Sequence, residues 1–99
     1  MLENFRTYQL AVQLYRECKH IKLPYHLKDQ LNRAASSVAL NLSEGSAKPT
    51  SKDRMRFYAI AFGSLREVQT IIELEGESLE PIRGLADNLG AHLYQLCRG

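Results

Sequence analysis

The residues with the strongest claim to chemistry are Glu17 and His20. They frame the run Glu17-Cys18-Lys19-His20, an E-x-x-H spacing of the kind that holds iron in di-iron helical bundles. Such a site takes two of these motifs and two further inward-facing glutamates. The second motif is missing, because His92 has Leu89 three residues before it and His26 has Leu23. His20 reads instead as a residue compatible with the negative end of a helix C-terminus. Cys18 and Cys97 stand almost a chain length apart, match no zinc spacing and form no dense disulfide framework, so both are expected as reduced thiols. With no nucleophile elbow, phosphate-binding glycine loop or paired-cysteine motif, the sequence predicts no enzymatic activity, no metal and no cofactor.

Binding is the alternative, and the charge distribution points to it. The formal net charge is only +2, yet residues 1–66 hold 11 Lys+Arg against 5 Asp+Glu while residues 67–99 hold 2 against 6. Such polarity steers a polyanion to one side, or lets the basic part of one copy meet the acidic part of another. Two clusters are candidate phosphate contacts: Arg16, Lys19, Lys22 and Lys28, and then Lys48, Lys52, Arg54 and Arg56. Their binding to RNA or DNA would be salt-sensitive and largely sequence-blind. Tyr25 and Tyr58 would add stacking if exposed, although tyrosine at helical spacing is first of all a core residue. The acidic stretch from Glu73 to Glu80 fits a protein partner or a solvated loop between helix ends.

Apolar residues recur at helical spacing throughout, so the class is all-α. The first helix spans about 4–21, with Phe5, Tyr8, Val12, Tyr15 and Cys18 on one side, and Leu23-Pro24 ends it. The second spans about 25–44 and is closed by Gly45, expected to take the left-handed conformation after the last turn. Thr50 followed by Asp53 caps a third and longest helix running to about Glu75. A turn over 75–81 precedes a fourth helix opened by Pro81 and carrying Ile82, Leu85, Ala86, Leu89, Leu93 and Leu96. Short connections favour antiparallel neighbours, which predicts one domain over 1–99, an up-down-up-down four-helix bundle. Cys18 and Cys97 then lie ~20 Å apart and unpaired. The two basic clusters then fall at opposite ends. With no uninterrupted apolar stretch of membrane-spanning or signal length, a cytoplasmic protein is expected.

At ~100° per residue, Gln30, Arg33, Ser37, Asn41 and Glu44 fall within an arc of roughly 80° beside the apolar face of the second helix. The third helix carries two apolar stripes: Phe57, Ile60, Ala61, Ser64, Val68 and Ile71, and then Tyr58, Phe62, Leu65 and Ile72. One bundle core does not need both, so a single chain is expected to leave one wet, which predicts a homo-oligomer. Ala34-Ala35-Ser36-Ser37 and Gly63-Ser64 would permit close backbone approach. Gly63 costs ~1 kcal/mol relative to alanine in a helix interior, so a compensating contact is expected.

Three segments carry a family resemblance: Gln30-Leu31-Asn32-Arg33-Ala34-Ala35-Ser36-Ser37-Val38, Asn41-Leu42-Ser43-Glu44-Gly45, and Ala61-Phe62-Gly63-Ser64-Leu65-Arg66-Glu67-Val68. Together they resemble the bacterial four-helix-bundle proteins encoded in intervening sequences of large-subunit ribosomal RNA genes. The similarity covers nearly the whole chain. The fold is also similar to that of the accessory variability protein of diversity-generating retroelements, a ring of bundles that binds nucleic acid and a reverse transcriptase. The resemblance implies a ring-forming homo-oligomer, a pentamer, with Gln30, Arg33, Ser37, Asn41, Glu44, Gly63, Ser64 and Glu67 as the signature that supports assembly. Glu44 and Glu67 are expected to hold partners across helices. Tyr8 stands near a position where many members have tryptophan. The alternative reading is a scaffold whose partner is a polymerase or ribosome-associated protein.

Overall fold

The computed structural model describes residues 2–98, with side chains from Arg6 onward. Four α-helical segments follow one another: α1 (Leu2–Cys18), α2 (Tyr25–Ser46), α3 (Ser51–Glu75) and α4 (Glu80–Arg98). A 3-10 turn over Gly76–Leu79 joins the last two, so the chain stays helical from Ser51 to Arg98. The described residues hold no strand, as the absence of a period-two pattern requires. No helix among them is long and apolar enough to cross a membrane. Phe5, placed by its spacing on the apolar side of α1, lies outside the described side chains.

α1 stops at Cys18, three residues before the expected end. Its last carbonyls turn to another donor: the Lys28 ammonium donates to the carbonyl oxygens of Cys18 (2.7 Å), Lys19 (3.0 Å) and Ile21. Those are the groups a helix C-terminus leaves unsatisfied, and a cation there also meets the negative end of the helix dipole. α2 extends past Gly45 to Ser46, and its C-cap is Ala47 at φ −86°. Gly45 is therefore not a left-handed cap. The left-handed glycine is Gly76 (φ 62°), whose N–H closes the end of α3 on the Ile72 carbonyl. The Thr50 cap is as expected: its hydroxyl accepts from the Asp53 N–H at 3.2 Å. The turn expected over 75–81 takes the form of the 3-10 turn at Gly76–Leu79, and Pro81 sits in the first turn of α4 as expected.

α1 packs on α2 and α4, and α3 packs on the same two helices, around one core that includes Leu14, Leu31, Val38, Leu65, Ile82 and Leu93. This arrangement corrects the expectation for α3. Ala61, Val68 and Ile71 of one stripe are buried, and so are Tyr58, Leu65 and Ile72 of the other. A helix touching a neighbour on each flank needs an apolar arc wide enough for both, so a single chain uses both stripes. Of those residues only Ile60 stays substantially exposed, at 48 %. The second stripe thus gives no ground for a homo-oligomer.

Candidate functional site

Five of the polar residues singled out from the sequence meet at the seam between α2 and α3. Gln30, Arg33 and Ser37 from α2 and Ser64 and Glu67 from α3 line an open groove of about 390 Å³ floored by Ala34. The two serine hydroxyls lie 2.7 Å apart. The Asn41 amide donates to both the carbonyl (2.9 Å) and the hydroxyl (3.1 Å) of Ser37, and either serine hydroxyl can donate to the other. Small side chains make this possible. A Cβ on Gly45 would stand 2.9 Å from the Phe57 Cβ and from the Tyr58 ring, so α2 is drawn onto α3 at a distance only glycine permits. The sequence marked Gly45 for the wrong role, since the partners that demand it lie twelve and thirteen residues away on another helix.

Glu44 and Gly63 do not line the groove, and neither glutamate of the group holds a partner across helices among the described residues. Glu44 pairs with Lys48 at 3.2 Å one turn on, at the end of its own helix and not across helices. Glu67 is exposed and makes no ion pair among the described residues. Arg33 makes only a loose, largely exposed pair with Asp29, at 3.7 Å. Gly63 is exposed, and a Cβ there would meet nothing within 4 Å, so it serves no close approach inside the chain. Leu40 of α2 is 67 % exposed and is marked by no motif or spacing in the sequence.

The two basic clusters stay apart, separated by the length of α2 from Lys28 to Ser46, ~27 Å of helix. Their members differ in availability. Lys28 is spent on the three carbonyls of the α1 terminus, and Arg54 donates to the carbonyls of Lys48 (3.0 Å) and Pro49 (3.3 Å), so both hold corners of the fold. Lys48 is neutralised by Glu44 and lies over the Phe57 ring at 5.1 Å. Arg16, Lys22 and Lys52 are exposed, with no carboxylate partner among the described residues; Lys19 and Arg56 are likewise exposed and rest on the rings of Tyr15 (4.9 Å) and Phe57 (5.9 Å). Tyr58 is buried, whereas Tyr25 is 86 % exposed and open to stacking.

The E-x-x-H pair is split by the end of α1: Glu17 accepts from the Gln13 amide at 2.9 Å inside the helix, and His20 lies exposed beyond it. Both cysteines are free thiols. Burial pushes the Cys18 thiol up to about 11, opposed in part by the Lys28 charge beside it, and burial also raises Cys97.

The chain is thus all-helical among the described residues, its second and third helices pinned by a serine pair and a glycine contact and its surface cations only partly consumed by the fold. The family model described as 23S rRNA-intervening sequence protein matches residues 3–79. The chain belongs to that family. The matched span holds α1, α2, α3 and the 3-10 turn, including the whole groove, and stops where α4 begins. A search among curated proteins returns no match.

Proposed function

We propose that the chain is a non-enzymatic binding module of the cytoplasm that assembles with copies of itself into a ring and holds RNA or DNA through basic surface patches. In this reading the four helical segments run alternately up and down. Opposite ordering of the contacts supports that: Gly45 lies against Tyr58 and Ser37 against Ser64, and Leu65 faces Gly90 while Gln69 bonds Asp87.

The observation that carries the nucleic-acid reading is a set of exposed cations which no carboxylate neutralises among the described residues, and which the fold does not use. An unused lysine or arginine gives up no bond within the fold to reach a phosphate, and each contact releases condensed counterions. Self-association is supported by Leu40 and Ile60, large apolar side chains exposed beside the polar groove, and by the bare backbone at Gly63. Light scattering on the purified protein, followed by titration with fluorescent structured RNA and duplex DNA at low and moderate salt, tests both parts. A multiple of the 11.3 kDa chain mass with salt-dependent binding is expected; a monomer that ignores both nucleic acids contradicts the proposal.

A second reading, a scaffold for a polymerase or a ribosome-associated protein, draws on Leu74. It is 70 % exposed among Glu73, Glu75 and Glu77, an apolar residue in an acidic setting that suits a basic protein surface. An oligomer with no affinity for either nucleic acid favours it.

A further inference from the structure

The contacts between helices say which tips share an end of the molecule. Lys28 on the carbonyls of Cys18, Lys19 and Ile21 puts the end of α1 beside the start of α2. The serine pair and Gly45 put the end of α2 beside the start of α3, and Gln69 on Asp87 with Gly90 against Leu65 puts the end of α3 beside the start of α4. Thr7 shares a groove with His92, Gln95 and Leu96, which brings the start of α1 to the end of α4. The molecule measures 40 × 21 × 18 Å, so each end is a small face some 40 Å from the other.

These faces differ in charge. Within roughly two helical turns of the tips, ~7 residues each, the end holding the α2–α3 corner gathers six cations: Arg6, Lys48, Lys52, Arg54, Arg56 and Arg98. Among the described side chains, two carboxylates, Glu44 and Asp53, belong to the same turns. At the opposite end the first basic cluster shares its turns with the acidic close of α3, the 3-10 turn and the start of α4, and carboxylates there outnumber cations by six to five. The chain's basic and acidic parts are thus not divided between two sides: folding mixes them at one end and leaves the other positive. Lys52, Arg56 and Arg98 are exposed and are not hydrogen-bonded or ion-paired among the described residues; Arg56 and Arg98 lie over Phe57 (5.9 Å) and Tyr94 (5.6 Å), which orients them without neutralising them.

We infer that the end of the molecule formed by the α2–α3 corner and the tips of α1 and α4 is the face that receives nucleic-acid phosphates, through Lys52, Arg56 and Arg98. The opposite end contributes less, because the carboxylates that share its turns with Arg16, Lys19 and Lys22 leave that face with no net positive charge. The inference rests on the nucleic-acid reading and narrows it to one face. Arg98 lies outside both clusters evident from the sequence, because only the folded chain brings the end of α4 to the start of α3.

Two triple variants of the full chain test it: Lys52→Gln with Arg56→Gln and Arg98→Gln, and Arg16→Gln with Lys19→Gln and Lys22→Gln. All six side chains are exposed. Each variant is titrated against a fluorescent RNA hairpin between about 50 and 200 mM salt. The first triple should lose at least about tenfold in affinity and lower the slope of log K against log salt by about 2 to 3, whereas the second should lose less than about twofold. Equal losses, or a larger loss in the second, overturn the assignment while the binding function stands. Absence of salt-dependent binding by the unaltered protein removes both. Should the first triple fail to fold by circular dichroism, the single Lys52→Glu carries the same comparison.

Discussion

The two ends of the molecule are closed in different ways. At the α1–α2 corner the chain leaves the helix early, and a lysine from the next helix supplies the hydrogen bonds that the lost turn would have made. At the α2–α3 corner the helices are brought together by an absent side chain, Gly45, then fixed by the Thr50 cap and by Arg54 on the linker carbonyls. One corner depends on a charge and the other on space. The difference teaches that a positive residue near a helix end belongs to the fold before it belongs to a ligand. Lys28 and Arg54 are positive residues of this kind, and counting them as phosphate contacts overstates the binding surface at each end.

Substitutions that attack space or charge separately break the comparison. Gly45→Val places side-chain atoms where Phe57 and Tyr58 already stand, and a loss of about 3 kcal/mol in urea unfolding is expected from overpacking. Lys28→Met keeps the aliphatic stem and removes the charge-assisted donors, so about 2 kcal/mol should go at the other corner, with extra hydrogen exchange confined to the end of α1. The thiol next to that lysine adds a pH signature. Folding raises Cys18 from 9.0 to about 11, so the folded chain holds its proton where the unfolded chain has lost it. The contribution is complete below pH 9 and disappears as pH climbs toward 11. Thermal melts should show a decline on the order of 2 kcal/mol across that window, and Cys18→Ala should flatten it. Thr50→Ala, which removes one cap from the glycine corner, should cost about 1 kcal/mol. The smallest effect is a gain: Gly63→Ala meets no neighbour and should stabilise the isolated chain by ~0.5–1 kcal/mol, while lowering the solution mass if the bare backbone is used in assembly.

What the sequence revealed is what local spacing encodes. The Thr50 cap is visible because donor and acceptor are three residues apart, and the inner face of α4 because Ile82, Ala86, Leu89 and Leu93 recur at helical spacing. The polar arc of α2 is legible for the same reason, whereas the groove that Gln30, Arg33 and Ser37 form with Ser64 and Glu67 exists only in the folded chain. Misreadings arise where a distant group decides. Gly45 next to a helix end suggests a left-handed cap until Phe57 and Tyr58 are seen against it. Lys28 looks like a surface cation until the carbonyls of a different helix reach it. The helical wheel of α3 shows two stripes without showing that two helices flank it, and no spacing rule brings Arg98 to the end where Lys52 lies.

The most direct test is an equilibrium titration of the unaltered protein with structured RNA at about 50 mM salt and again at about 200 mM. The account predicts binding at the lower salt that weakens by at least about tenfold at the higher, as phosphate contacts require. No binding at the lower salt, or an affinity that does not change between the two, would contradict it.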